Sequence, residues 1–205
     1  MAKKIYTYGR TDGGFRLLLN GKPLLTPKGT PVVMTNEALA EKIMKELMCG
    51  QKHTDDTAVI CYHYTYCDTK KQYTQNQVAE DLCASFSGCL DNDPYRKFSV
   101  NGRDTMTEAS LQKFIKGLNY YQLTAMMVVL CSRETITLPY AIMNWFVMQN
   151  TDKPYKALKS EFLDALEEYE RTNFEIDDED EPEFRKYLQK TGRMIDSFVY
   201  YSKLI

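Results

Sequence analysis

The chain has 205 residues, 43% of them hydrophobic and 26% charged, with a formal net charge of −2. That composition suits a globular protein of one large domain or two small ones. With no surplus of positive charge to release counterions, no nucleic-acid binding is expected; with no apolar run near the roughly 20 residues of a membrane span, no membrane insertion is expected either.

The opening MAKKIYTYGR has neither the apolar stretch of a secretory signal nor the Arg- and Ser-rich lead of a transit peptide. Ile5 to Arg10 reads as a first strand, followed by the Asp12-Gly13-Gly14 turn. Phe15 to Leu19 and Lys22 to Thr26 read as a hairpin around Asn20-Gly21. A tight type I′ turn needs φ > 0 at both central residues, which Asn and Gly tolerate best. Thr26-Pro27 and Thr30-Pro31 then interrupt the ladder, because proline removes a donor and keeps the preceding residue extended. Pro31 to Met34 is another short extended piece. Thr35 or Asn36 caps a helix with Glu37 in its first turn. Its apolar face carries Leu39, Ala40, Ile43, Met44, Leu47 and Met48, and Gly50 stops it.

The segment TAVICYHYTYC, residues 57 to 67, alternates with period two in β-branched and aromatic residues and reads as a strand near Ile60. Thr74 to Gln77 offers a capping box. The helix behind it buries Val78, Leu82 and Phe86, with Ala79, Cys83 and Leu90 adjacent, and Asp91 to Pro94 ends it.

Beyond about residue 105 the strand signals fade. Leu111, Phe114, Ile115 and Leu118 mark an amphipathic helix, and Asn119 to Gln122 resembles a cap for the next. That helix, through LTAMMVVLC, is apolar on nearly every side and so is expected to be central. Pro139 fits the first turn of a third helix. Tyr155, Leu158, Phe162, Leu166 and Tyr169 stripe a fourth; Phe184, Tyr187, Leu188, Thr191, Ile195 and Phe198 stripe the last. The expected fold class is α+β: a small mixed domain with a β-hairpin and helices over residues 1–104, then an all-helical domain over residues 105–205.

Chemistry is sparse. The cysteines, Cys49, Cys61, Cys67, Cys83, Cys89 and Cys131, include no C-x-x-C pair and no zinc spacing. They read as reduced thiols in the cytoplasm, and neither a metal nor another cofactor is expected. EIDDEDEPE, residues 175 to 183, reads as a solvated loop whose charges face the N-terminal end of the final helix, with Pro182 in its first turn. It lacks the Gly and the spacing of an EF-hand loop. Cys61 and His63 would share one face of the expected strand, so a Cys/His nucleophile pair stands beside a packed core histidine. No Asp or Asn to orient the imidazole is identifiable. Phosphate-binding, dinucleotide-binding and nucleophile-elbow motifs are absent. Glu167-Glu168 lies on the polar side of its helix.

One stretch carries more. GGFRLLLNGKPLLTPKGTPVVMTNEALAEKIMKEL, residues 13 to 47, resembles the N-terminal signature of the ATP synthase alpha-subunit assembly chaperones. That family has a Gly-Phe or Gly-Tyr strand, an Asp-Gly-Arg turn, a Thr-Pro pair, and a helix beginning near Leu-Ala. Here these are Gly14-Phe15, Asn20-Gly21-Lys22, Thr26-Pro27 and Leu39-Ala40; the family's Trp at the helix end is absent. Tyr64 to Thr69, then Leu90 to Asp93 and Tyr95-Arg96, keep the family's later order, while the segment between Arg96 and Leu111 is shorter. LEEYERTNFE, residues 166 to 175, is similar to the family's helix end with an acidic residue, an aromatic, Gln, Trp and Gly. Glu167 matches the acidic residue needed for chaperone work and Tyr169 the aromatic, whereas Glu170, Phe174 and Glu175 replace Gln, Trp and Gly.

The resemblance implies a remote, shortened, bacterial-type member: a non-enzymatic chaperone. Its protein client would be the ATP synthase alpha subunit, and its client contacts Glu167, Glu168, Tyr169 and Phe174. Two other readings stand beside it. One is an adaptor for an unrelated client; the other is an enzyme using Cys61 or Cys67 with His63.

Overall fold

The computed structural model describes residues 4–87, 90–96, 98, 107–133, 135–148 and 151–204. Cys89, the side chain of Phe86 and the expected boundary at residue 104 lie outside the described residues.

Strands β1 (Tyr6–Thr11) and β2 (Gly14–Leu19) pair antiparallel, from Tyr6 opposite Leu19 to Thr11 opposite Gly14. On its other edge β2 takes β3 (Lys22–Pro23) and β4 (Val33–Met34). The β2–β3 turn is the one expected: Asn20 and Gly21 have φ of 52° and 76°, between the paired Leu19 and Lys22. Gly14 answers a different need. A Cβ there would overlap the Met34 carbonyl oxygen where β4 crosses β2, so the strand must start on glycine.

The expected strand Lys22 to Thr26 is cut short. After Pro23 only an isolated bridge, Leu25 to Pro31, continues the pairing. Thr26 closes the loop between them: its hydroxyl accepts from Thr30 N–H at 3.0 Å and donates to Asp68 at 2.5 Å. The Thr-Pro pair thus marks a tight loop pinned to the helix that carries Asp68.

Helix α1 (Glu37–Met48) starts at Asn36, whose side chain accepts from Leu39 N–H. Leu39, Ala40 and Ile43 are buried against the sheet, Met48 is exposed, and Gly50 follows the end with φ of 79°.

The segment read as a strand at residues 57 to 67 is helical: α2 runs Val59–Gln72. It lies among α1, α5 (Tyr120–Arg133) and α8 (Glu181–Ser202) and buries Ile60, Tyr62, His63, Tyr64, Tyr66 and Cys67, residues on nearly every side. A helix covered all round shows no polar stripe, so its sequence lacks the 3.6-residue signal.

Helix α3 (Gln75–Ser87) begins at the expected Thr74–Gln77 capping box. Helix α4 (Glu108–Lys116) is capped by Thr107, and Asn119 and Gln122 cap α5 reciprocally. Helix α6 (Thr137–Met143) runs into a π turn at Asn144–Met148. Helix α7 (Tyr155–Asn173) packs on α8. No strand follows Met34 among the described residues. The buried side chains join in one apolar cluster, from Leu17 in the sheet through Val129 in α5 to Tyr201 in α8.

Candidate functional site

The four residues implied as client contacts sit at the C-terminal end of α7. Successive helix positions are about 100° apart, so three consecutive ones point three ways. Glu167 turns towards α8. Its carboxylate pairs with Arg171 at 3.0 Å and Arg185 at 3.1 Å, and both arginines also hold Glu181. The Arg171 guanidinium lies over the Phe184 ring at 4.9 Å. Glu168 faces solvent. Tyr169 turns inwards: its hydroxyl donates to the Pro94 carbonyl, and its ring meets those of Tyr95 and Phe98 at 5.9 and 5.4 Å. Phe174, just past the helix, is 42% exposed. These side chains ring the helix end and do not converge on one pocket.

The inward carboxylate is Glu170. It continues the Leu158, Phe162, Leu166 series at four-residue spacing, and that periodicity alone would have located it in the buried stripe. Its Oε1 accepts from the Tyr95 hydroxyl and, at 3.1 Å, from the Tyr187 hydroxyl; the two phenols are 2.9 Å apart. Burial, then Tyr187 and Glu170, pushes the Tyr95 phenol well up, so it stays a donor. The Glu170–Tyr95–Tyr187 cluster ties α7, α8 and the turn at residues 93–96 together.

The acidic loop behaves as expected. Asp177 accepts from the Glu179 and Asp180 N–H groups, while Glu181 and Glu183 occupy the first turn of α8 beside Pro182. Pairing with Arg171 and Arg185 lowers the Glu181 pKa.

The helical α2 overturns the expected Cys61–His63 alignment. On a helix the neighbour of His63 is four residues on, and Cys67 Sγ lies 3.5 Å from His63 Nε2. Neither thiol is activated: burial pushes Cys61 up to about 12 and Cys67 up to about 11. His63 is wholly buried, with Nδ1 3.0 Å from the Tyr201 hydroxyl and Nε2 3.0 Å from the Val33 carbonyl oxygen. Burial lowers it to about 4. Among the described residues no cluster of three His, Cys, Asp or Glu side chains could hold a metal, and no helix is long and apolar enough to cross a membrane.

No family model and no curated relative matches the sequence. Solved structures do match its fold, over 97% of the chain in each case. Atp12 of Paracoccus denitrificans matches at a TM-score of 0.52 and 15% identity, covering 96% of that chain. This chain has the Atp12 fold. A point mutant of the same Atp12 gives 0.51 and 16%, covering 95% of that chain. Atu1473 of Agrobacterium tumefaciens, a proposed chaperone, gives 0.55 and 19%, covering 84% of that chain. The hairpin, the Thr-Pro loop and the helix after Asn36 are therefore parts of a scaffold shared with the Atp12 proteins along almost the whole chain.

Proposed function

We propose that this protein is a non-enzymatic assembly chaperone that holds a protein client, and that the client is the alpha subunit of ATP synthase. The observation that carries the reading is the full-length likeness to the Atp12 fold, met independently by the family signature over residues 13 to 47. The inert thiols and the neutral, fully bonded His63 favour a protein that works by its surface. A cytoplasmic location belongs to the same reading.

Within it, Glu167, Glu168 and Phe174, with the half-buried Tyr169 behind them, form the client-facing end of α7. Glu168 and Phe174 are exposed, and Glu167 is a partly exposed member of an ion-pair network, so each can be altered without disturbing the core. The test is capture of the alpha subunit by the purified protein and its variants, with melting temperatures measured in parallel. Phe174→Ala and Glu168→Gln should keep the wild-type melting temperature and lose capture. Glu167→Gln should lose capture at a cost below about 1 kcal/mol, the range of surface ion pairs. Glu170→Ala should instead cost about 1–3 kcal/mol or more, because the Tyr95 and Tyr187 hydroxyls lose their acceptor in a largely buried site. Wild-type protein that captures no alpha subunit would shift the reading to an adaptor with another client.

A further inference from the structure

Strand β1, the last turn of α1 and the first half of α2 leave an open groove of about 600 Å³ between them. Its floor is apolar: Tyr6, Leu47, Ile60 and Tyr64. Its rim carries two cations, Lys4 and Lys52, and the His53 ring, which stacks on Tyr64 at 5.7 Å. Among the described residues no acidic side chain lines it.

The groove adjoins a free strand edge. Asn20 donates its N–H to the Ile5 carbonyl, whereas Leu17, opposite Tyr8, spends its N–H on Val32 and its carbonyl on Leu24. In an antiparallel pair, bonded and non-bonded positions alternate. Tyr6, Tyr8 and Arg10 therefore turn their backbone N–H and C=O groups away from β2, and no described strand lies on that side. Such an edge is a template for another extended chain.

We propose that the groove and the β1 edge together dock an extended polypeptide segment as a strand beside β1. The segment carries an apolar and an acidic residue two positions apart. The spacing follows from the pleat: Lys4 and Tyr6 project to the same face, so an added strand would place alternate residues over them. The apolar residue enters over Tyr6 and the carboxylate meets Lys4 and Lys52. The identity of the client, though not the groove, rests on the chaperone reading above.

The probe is a pair of capped peptides of about ten residues. Each carries Leu and, two positions on, either Glu or Lys, and binding is followed by fluorescence anisotropy. The Glu peptide should bind at least about fivefold more tightly than the Lys peptide, as two exposed ion pairs allow. Lys4→Glu/Lys52→Glu, which alters only exposed side chains, should abolish or invert that preference. Lys71→Glu/Lys113→Glu, remote from the groove, should keep it. Bound peptide should slow hydrogen exchange at the Tyr6 and Tyr8 amides. Equal binding of the two peptides, binding of neither, an unaltered Lys4/Lys52 variant, or unprotected Tyr6 and Tyr8 amides would each overturn the proposal. Alpha subunit captured by a wild-type protein that shows no Glu-selective peptide binding would overturn the groove and leave the chaperone reading standing. Glu-selective peptide binding without any capture of alpha subunit would do the reverse.

Discussion

His63 shows how far a single buried residue reaches. It is held neutral between a strand carbonyl and a tyrosine of the last helix, with its pKa lowered to about 4 by burial. In the unfolded chain it titrates near the ordinary value of about 6.5. Between those values the unfolded chain binds a proton that the folded protein refuses, so stability falls as pH falls. The contribution is complete above about pH 6.5 and is lost progressively down to about pH 4, reaching roughly 2 kcal/mol by pH 5. Urea midpoints at pH 7 and pH 5 measure it; a His63→Leu variant should show a flatter dependence whatever its absolute stability. The sequence made a core histidine legible but not its partners, because Val33 and Tyr201 are 30 and 138 residues away. Glu170 was more accessible. Its four-residue spacing from Leu166 places it in the buried stripe of α7, whereas the likeness to the family's helix end shows only a Glu in place of Gln.

At the scale of elements, local signals predicted whatever is stabilised locally. The Asn20-Gly21 turn, the Asn36 cap, the Thr74–Gln77 box and the Asn119 cap all use residues within a few positions of the groups they satisfy. Gly21→Val should therefore destabilise by about 1 kcal/mol or more, since a β-branched residue is strained at φ of 76°. A shifted denaturant midpoint is the readout. Helix α2 escaped for the opposite reason. Ala58 at its N-cap supplies no side-chain acceptor, and the Val59 and Ile60 N–H groups go to the buried Glu46 carboxylate of α1 at 3.1 and 2.8 Å. The capping signal thus sits 13 and 14 residues upstream, inside another helix. The same device starts α6, where Asp93 accepts from the Ile136 and Thr137 N–H groups from across the fold. Borrowed caps of this kind leave no trace in a local window, and a buried aromatic helix such as α2 then reads as a strand.

For the whole molecule, the division near residue 104 that we propose separates a mixed half from a helical half, yet both feed one apolar cluster. Tyr62 of α2 bonds the Asp56 carbonyl and reaches Met194 of α8, and Ser197 of α8 bonds the Thr57 carbonyl. Heat should therefore unfold the protein in one transition seen alike by far-UV and near-UV circular dichroism. Two separated transitions would mean that each half carries its own stability. The bridge from Val33 through His63 to Tyr201 also sets an order on the making of the protein. Chains emerge from the ribosome N-terminal end first, at about 5–20 residues per second, so α8 appears after every element it covers. Until it arrives, His63 lacks the Tyr201 hydroxyl and the buried faces of α2 and α5 stay open. During the seconds of its own synthesis, this nascent chain is in the position of an unassembled subunit, with an apolar surface waiting for the piece that closes it.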